Sequence, residues 1–182
     1  AVLALVYFVV KAVSVYWVIV FFNVILVFIN AVFLFAYLDF SGRKKPELKS
    51  WPSVSVVIPN YNGEKTIAQC IDSVKGLEYP LRKEIIVVDD GSKDDSRALL
   101  RGMKGIKVIL LPKNKGKAAA LNAGFAEAKG EIVAAIDSDT YPEKDCLMKM
   151  APHFSNTKVG AVTGLVRAQN VNGLIERIQE LE

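Results

Sequence analysis

Apolar residues are spread very unevenly along this chain. Residues 1–38, AVLALVYFVVKAVSVYWVIVFFNVILVFINAVFLFAYL, carry a single charge, Lys11, and the stretch from Ala12 to Leu38 carries none. A helix that crosses a bilayer needs about 20 consecutive apolar residues, and this run exceeds that. A secretory signal has a shorter apolar region followed by a small-residue cleavage site. Neither feature is present, so the run reads as a retained transmembrane anchor. Residues 1–10 are too short to span alone. Either one long tilted helix starts near residue 1, or the segment before Lys11 is the stub of an earlier span. Asn23 and Asn30 lie two helical turns apart, and the expectation is that each bonds to its own helix backbone.

Beyond residue 40 the pattern becomes an alternation of two periods. VSVVIP (54–59), EIIVVD (84–89), IKVILLP (106–112), EIVAAI (131–136) and VGAVTGLVRA (159–168) are short apolar runs rich in β-branched residues. Between them Ile67, Cys70, Ile71 and Val74 recur at helical spacing, as do the apolar positions of SRALLRGM (96–103). KAAALNAGFAEAKG (117–130) is an Ala-rich helix with Gly130 as its expected C-terminal cap, and EKDCLMKMAPHF (143–154) is a further helix. Continuous rather than alternating apolar strands are buried on both faces, which predicts a mostly parallel open sheet covered by helices. The fold class is therefore α/β, Rossmann-like, preceded by an N-terminal transmembrane helix. The reading divides the chain into an anchor (1–40), a basic juxtamembrane linker (41–52) and an α/β domain (53–182).

Charge and cysteine content refine this picture. Arg43, Lys44, Lys45 and Lys49 follow the apolar run. Clustered cations at one end of a span favour the cytoplasmic side and suit anionic membrane lipids. The expected location is the cell membrane, with residues 41–182 in the cytoplasm. Cys70 and Cys146 then lie in a reducing compartment, unpaired and without metal-ligand spacing. The net charge of +4 is modest. No basic stripe interleaved with aromatics occurs, which argues against nucleic acid as a partner. His153 has no partner pattern and is expected on the surface.

The polar residues concentrate where strands end: PNYNGE after the first, DDGS after the second and DSD after the fourth. In a parallel sheet these ends share one edge, where open α/β folds bind their ligands. Converging acids raise one another's pKa unless a positive group sits among them. A divalent cation with a phosphate ligand resolves this, because Mg²⁺ and Mn²⁺ take one or two carboxylates plus substrate phosphates. Asp137 and Asp139 are spaced i, i+2, and in a strand they would share a side. Lys117 and Gly116 open the Ala-rich helix, an anion-friendly position, without the spacing of a Walker loop. Asp94 and Asp95 read as acids that complement a helix N-terminus.

Four segments in order, VSVVIPNYNGEKTIAQCIDSV, EIIVVDDGSKDDS, NKGKAAALNAGFAEAKGEIVAAIDSDT and VGAVTGLVRAQN, resemble the nucleotide-sugar-binding half of family-2 inverting glycosyltransferases. The resemblance covers residues 53–182 and implies a GT-A fold, in the membrane-bound polysaccharide-synthase or dolichyl-phosphate-sugar-synthase branch. Residue by residue, it implies that Pro59, Tyr61 and Glu64 embrace the base and ribose. It further implies that Asp90 bonds the nucleobase, that Lys117 lies near the diphosphate, and that Asp137 and Asp139 bind nucleotide sugar and metal. Here the first loop reads YNGE, where many relatives have the acid directly after Asn.

The implied reaction is inverting transfer of a sugar from a nucleoside-diphosphate sugar to a lipid or glycan acceptor. The implied donor is a UDP-sugar, with a GDP-sugar as the alternative, and the implied cofactor is Mn²⁺ or Mg²⁺. The family's catalytic base falls beyond residue 182, so the chain is expected to be the N-terminal part of such an enzyme, or a binding module without turnover. NVNGLIERIQELE (170–182) resembles the segment leading towards interface helices. A nucleotidyltransferase is the least favoured reading, because its Gly-rich first loop is missing.

Overall fold

The computed structural model describes residues 2–42 and 47–165. The chain divides into two units, residues 1–45 and 46–182. The basic residues Arg43, Lys44 and Lys45, and the segment 170–182 that resembles an approach to interface helices, lie outside the described residues.

The first unit is one continuous helix, α1 (Val2–Gly42). Its Val2–Leu38 stretch is long and apolar enough to cross a membrane. At 1.5 Å per residue the helix reaches roughly 60 Å, about twice the hydrocarbon thickness of a bilayer. Its large apolar side chains are exposed. Three polar ones turn back on the helix: Ser14 Oγ donates to Val10 O at 2.9 Å, Asn23 Nδ2 to Ile19 O at 2.8 Å and Asn30 Nδ2 to Leu26 O at 2.7 Å. Satisfied in this way, they add little polarity to an apolar surface.

The second unit is built on four parallel strands, β1 (Val54–Asn60), β2 (Glu84–Asp89), β3 (Lys107–Leu110) and β4 (Ile132–Ala135), in the order β3-β2-β1-β4. β1 pairs with β2 from Ser55↔Glu84 to Asn60↔Asp89, and with β4 only from Val54↔Ile132 to Val57↔Ala135. Helices cover both faces. Ile67, Cys70, Ile71 and Val74 of α2 (Ile67–Lys75) pack with Leu100 of α3 (Ser96–Gly102), Leu147 of α5 (Cys146–Met150) and the strand residues Val56, Ile58 and Val87. On the opposite face Ala120 of α4 (Lys117–Glu127) packs on Val57, Ile86 and Val88. That helix is small-residue rich for a reason. A Cβ on Gly124 would stand 2.3 Å from Val57 Cγ1, so α4 approaches β1 more closely than an Ala would permit.

Three expectations change. Gly130 does not cap α4; Ala128 does, and Gly130 lies where a Cβ would sit 2.4 Å from the Ser55 backbone N. There the backbones of β1 and the β4 approach touch, and Ser55 Oγ accepts from Gly130 N at 2.8 Å. Val159–Leu165 is irregular instead of a strand. Two glycines, Gly160 and Gly164, interrupt this run, and no strand of the described sheet pairs with it. DSD does not close β4 either. The strand ends at Ala135, and Thr140 N bonds Asp137 O at 3.0 Å, so the motif forms a turn and the i, i+2 strand argument does not apply. Both cysteines are free, and His153 is exposed in a short 3-10 helix (Ala151–Ser155).

Candidate functional site

The chain steps outward from β1 through β2 to β3 and then returns to β4 on the other side of β1. The strand order therefore reverses between β1 and β4, and an open α/β sheet binds ligands at the carboxyl ends beside such a switch. Pro59 marks the opening. Ile132 N bonds Ser53 O and Ile136 N bonds Val57 O, so the odd-numbered residues of β1 face β4. Pro59 is the next odd residue and has no N–H to continue that ladder. Past Val57 the β4 chain leaves β1, and residues 59–64 and 136–139 border the gap.

Behind the gap lies a buried polar cluster. Asp89 is fully buried at the end of β2. Its carboxylate accepts from Arg97 Nε at 2.7 Å, Ser92 N at 3.1 Å and Asn60 Nδ2 at 3.2 Å. Burial alone would raise its pKa; the Ser92, Arg97 and Asn60 hydrogen bonds reverse that and hold the carboxyl below its usual range. Arg97 also donates to Leu111 O, tying α3 to the end of β3. With Asn60 Nδ2 turned to the Asp89 carboxylate, Asn60 Oδ1 is buried without a hydrogen-bond partner. It faces Gly63, where a Cβ would stand 2.3 Å away.

Four further hydrogen bonds fasten the loop after β1 to the loop after β2. Asn62 N donates to Ser92 Oγ at 2.9 Å and Lys93 N to Asn62 Oδ1 at 2.9 Å. Glu64 N donates to Asp94 Oδ2 at 3.0 Å and Asp95 N to Glu64 Oε2 at 3.1 Å. Asn62 adopts φ 52°, a left-handed conformation that Asn tolerates better than most residues. Asp94 also accepts from Ser96 N at 3.1 Å, so it serves the start of α3 and the cross-link together.

Asp90 is buried one residue beyond β2. Its two oxygens accept from Lys115 N at 2.8 Å and Gly116 N at 2.7 Å. The carboxylate thus fixes the turn that begins α4 and faces the positive end of that helix. Gly91, at φ 74°, permits the approach, because a Cβ there would lie 2.5 Å from Asn114 N.

Asp137 and Asp139 line the other side of the gap. Lys117 Nζ stands 2.6 Å from Asp137 Oδ1, and both side chains are half-exposed. Cys70 Sγ donates to Asp137 O at 3.4 Å from beneath. Burial first, then the negative charges of Asp139 and Asp137, push the Cys70 thiol up to about 11. Among the described residues, no group of three or more His, Cys, Asp or Glu side chains gathers to cage a metal. Two accessible carboxylates fit a hard cation that takes one or two protein oxygens and completes its shell from phosphates. They do not fit a closed structural metal site.

Of the residues singled out from sequence, Asp90 holds the backbone at α4's N-terminus and Lys117, in that first turn, meets Asp137, with Asp139 two residues further along the turn. Pro59 is a buried part of β1 and acts through the sheet. Tyr61 is 44% exposed, its ring free to meet a ligand. Glu64 is spent, in this state, on Asp95 N. The sequence reading did not identify Asn60, Asn62, Ser92 and Arg97, whose partners lie mostly about 30 residues away.

A glycosyl transferase family 2 model matches residues 55–181. The poly-beta-1,6-N-acetyl-D-glucosamine synthase of Staphylococcus epidermidis is 37% identical over 142 residues, 76% of this chain and 34% of the relative. An N-acetylglucosaminyltransferase of Rhizobium sp. is 36% identical over 126 residues, 66% of this chain and 28% of the relative. The chain thus spans about a third of the length of the curated relatives it matches. Among solved structures, the mannosyltransferase PcManGT of Pyrobaculum calidifontis, in complex with GDP-Man and Mn²⁺, superimposes with a TM-score of 0.65 at 26% identity, over 75% of this chain and 43% of that one. S. aureus TarS gives 0.52 at 30% identity, over 64% and 23%. The sheet order, the strand-end loops and these matches together lead to one conclusion: the chain belongs to glycosyl transferase family 2, with the GT-A architecture.

Proposed function

We propose that this chain is the donor-binding portion of a membrane-anchored hexosyltransferase. Such an enzyme moves a sugar from a nucleoside-diphosphate sugar to a lipid or glycan acceptor with inversion. The observation that carries the reading is the convergence of the three strand-end clusters and the start of α4 on the β1/β4 switch point. The named relatives support a hexosamine polymer as product, and the mannosyltransferase neighbour supports a nucleotide sugar bound with a divalent ion. A UDP-sugar is the favoured donor and a GDP-sugar the alternative.

In this reading Tyr61 and the 60–64 loop flank the base and ribose, and Asp90 both reads the base and sets the α4 turn. The N-terminus of α4 and Lys117 receive the diphosphate. Asp137 and Asp139 would hold Mn²⁺ or Mg²⁺, which supplies charge neutralisation as the nucleoside diphosphate departs. α1 would anchor the domain, and the cations after it orient the domain to the cytoplasm.

A thermal-shift panel of UDP, GDP and ADP, each with Mn²⁺, Mg²⁺ or chelator, tests the donor reading. Stabilisation by UDP or GDP only when the metal is present is expected. Equal response to all three nucleotides with chelator would contradict it. For the anchor, protease should digest residues 47–165 in inverted vesicles and spare them in intact cells. The reverse pattern would overturn the orientation.

A further inference from the structure

We infer that Lys117 is the resting counter-ion of Asp137, and that its release by an incoming divalent cation couples metal binding to diphosphate binding. The inference rests on the reading of the site given above and adds a device to it. Lys117 follows Gly116, whose N–H is held by Asp90 at 2.7 Å, so the backbone at this corner is fixed. The side chain is not. It is a four-carbon stem carrying a strongly hydrated point charge, it is 62% exposed, and its ammonium rests 2.6 Å from Asp137 Oδ1. Among the described residues no cation pairs with Asp139. One carboxylate of the pair is thus neutralised from within and the other is left open.

A pair this exposed is cheap to part. A divalent cation drawn to Asp139 and Asp137 carries twice the charge of the ammonium and repels it at the same carboxylate. Lys117 then leaves Asp137 while its Cα stays at the first turn of α4, where the helix already favours an anion. The ammonium displaced by the metal becomes available to the diphosphate. The same group therefore weakens metal binding in the absence of nucleotide and strengthens nucleotide binding once the metal is held. Coupling of this kind is reciprocal.

The test uses the full chain in mild detergent. Mn²⁺ binding is read from the spin-resonance signal of free Mn²⁺, and UDP and uridine binding by calorimetry at saturating Mn²⁺. Lys117→Met should tighten Mn²⁺ binding without nucleotide by up to about fivefold, the upper range for an exposed ion pair, and weaken UDP binding by about fivefold or more, the scale of a typical coupling. Uridine binding should be unaffected. Lys117→Arg should behave like wild type. Lys113→Met, the same charge change four residues away, should alter neither. Mn²⁺ affinity that is unchanged or weaker in Lys117→Met would overturn the inference, even if UDP binding falls. A wild-type chain that binds neither Mn²⁺ nor UDP would remove the underlying reading of the site, and this inference with it.

Discussion

At the scale of single residues, the two adjacent acids Asp89 and Asp90 have separate tasks. Asp89 points inward and holds Asn60, Ser92 and Arg97; Asp90 holds the turn at the head of α4. Asp90→Asn keeps the shape but loses one acceptor and the charge. It should weaken UDP binding by about 1–3 kcal/mol, the range for a lost charged hydrogen bond, while Mn²⁺ affinity without nucleotide stays close to wild type. Parallel calorimetry of both ligands checks this, and an equal loss of both would mean that the strand end itself had collapsed. Asp89 makes a different prediction. Its folded pKa is depressed, so it adds stability above its unfolded pKa of about 3.9, and that stability is lost as pH falls through the folded value. Arg97→Met removes a hydrogen-bonded partner from a buried carboxylate. It should cost about 1–3 kcal/mol at neutral pH, and the gap between variant and wild type should narrow as pH falls below the unfolded pKa, because a less depressed carboxyl has less stability to lose on protonation. Melting followed by near-ultraviolet dichroism between pH 3 and 7 reads both effects; an acid limb identical to wild type would deny Arg97 this role. The doublet DD was visible in the sequence, but Arg97 was not. Nothing local distinguishes it from Arg101 on the same short helix, because its partners, Asp89 and Leu111, are set by the fold.

The elements show why some of the fold was legible. β1 and β2 are flanked on both edges and covered on both faces, so their residues must be almost uniformly apolar, and that uniformity is what the strand reading used. α2 presents Ile67, Cys70, Ile71 and Val74 to a single face, so its period was equally plain. Where a segment is held by sparse long-range contacts, the local pattern fails. DSD follows an apolar run and looks like a strand end, yet with no Pro59 N–H to continue the ladder β4 ends at Ala135, one residue before the apolar run does. Gly130 looked like a cap because it follows a helix; the close approach to Ser55 that requires a glycine comes from a segment 75 residues distant. α4 gives a test at this scale. Gly124→Ala would press a methyl into Val57 and should destabilise the domain by about 1–3 kcal/mol, the usual cost of overpacking. Gly102→Ala, at the end of α3, meets nothing within 4 Å and should be neutral or stabilising by up to about 1 kcal/mol. Urea titration of both variants separates them; equal stability would show that α4 does not sit on β1 as closely as described.

For the whole molecule, an apolar helix precedes a parallel sheet whose carboxyl edge gathers the polar groups of three strand ends. Each of three parts was read from a different property of the sequence: α1 from unbroken hydrophobicity, the sheet from alternation of periods, and the site from the polar residues that punctuate strand ends. The family match over residues 55–181 binds the second half to glycosyl transfer. It leaves the donor's base, the metal and the roles of individual acids to chemistry. The measurement that bears most directly on the central claim is calorimetry of UDP binding to the full chain, with Mn²⁺ and with chelator, for wild type and for Asp139→Asn. Binding by wild type should depend on Mn²⁺, and Asp139→Asn should lose that metal-dependent part without losing the folded state. UDP binding that is the same with metal, with chelator and in the variant would contradict it.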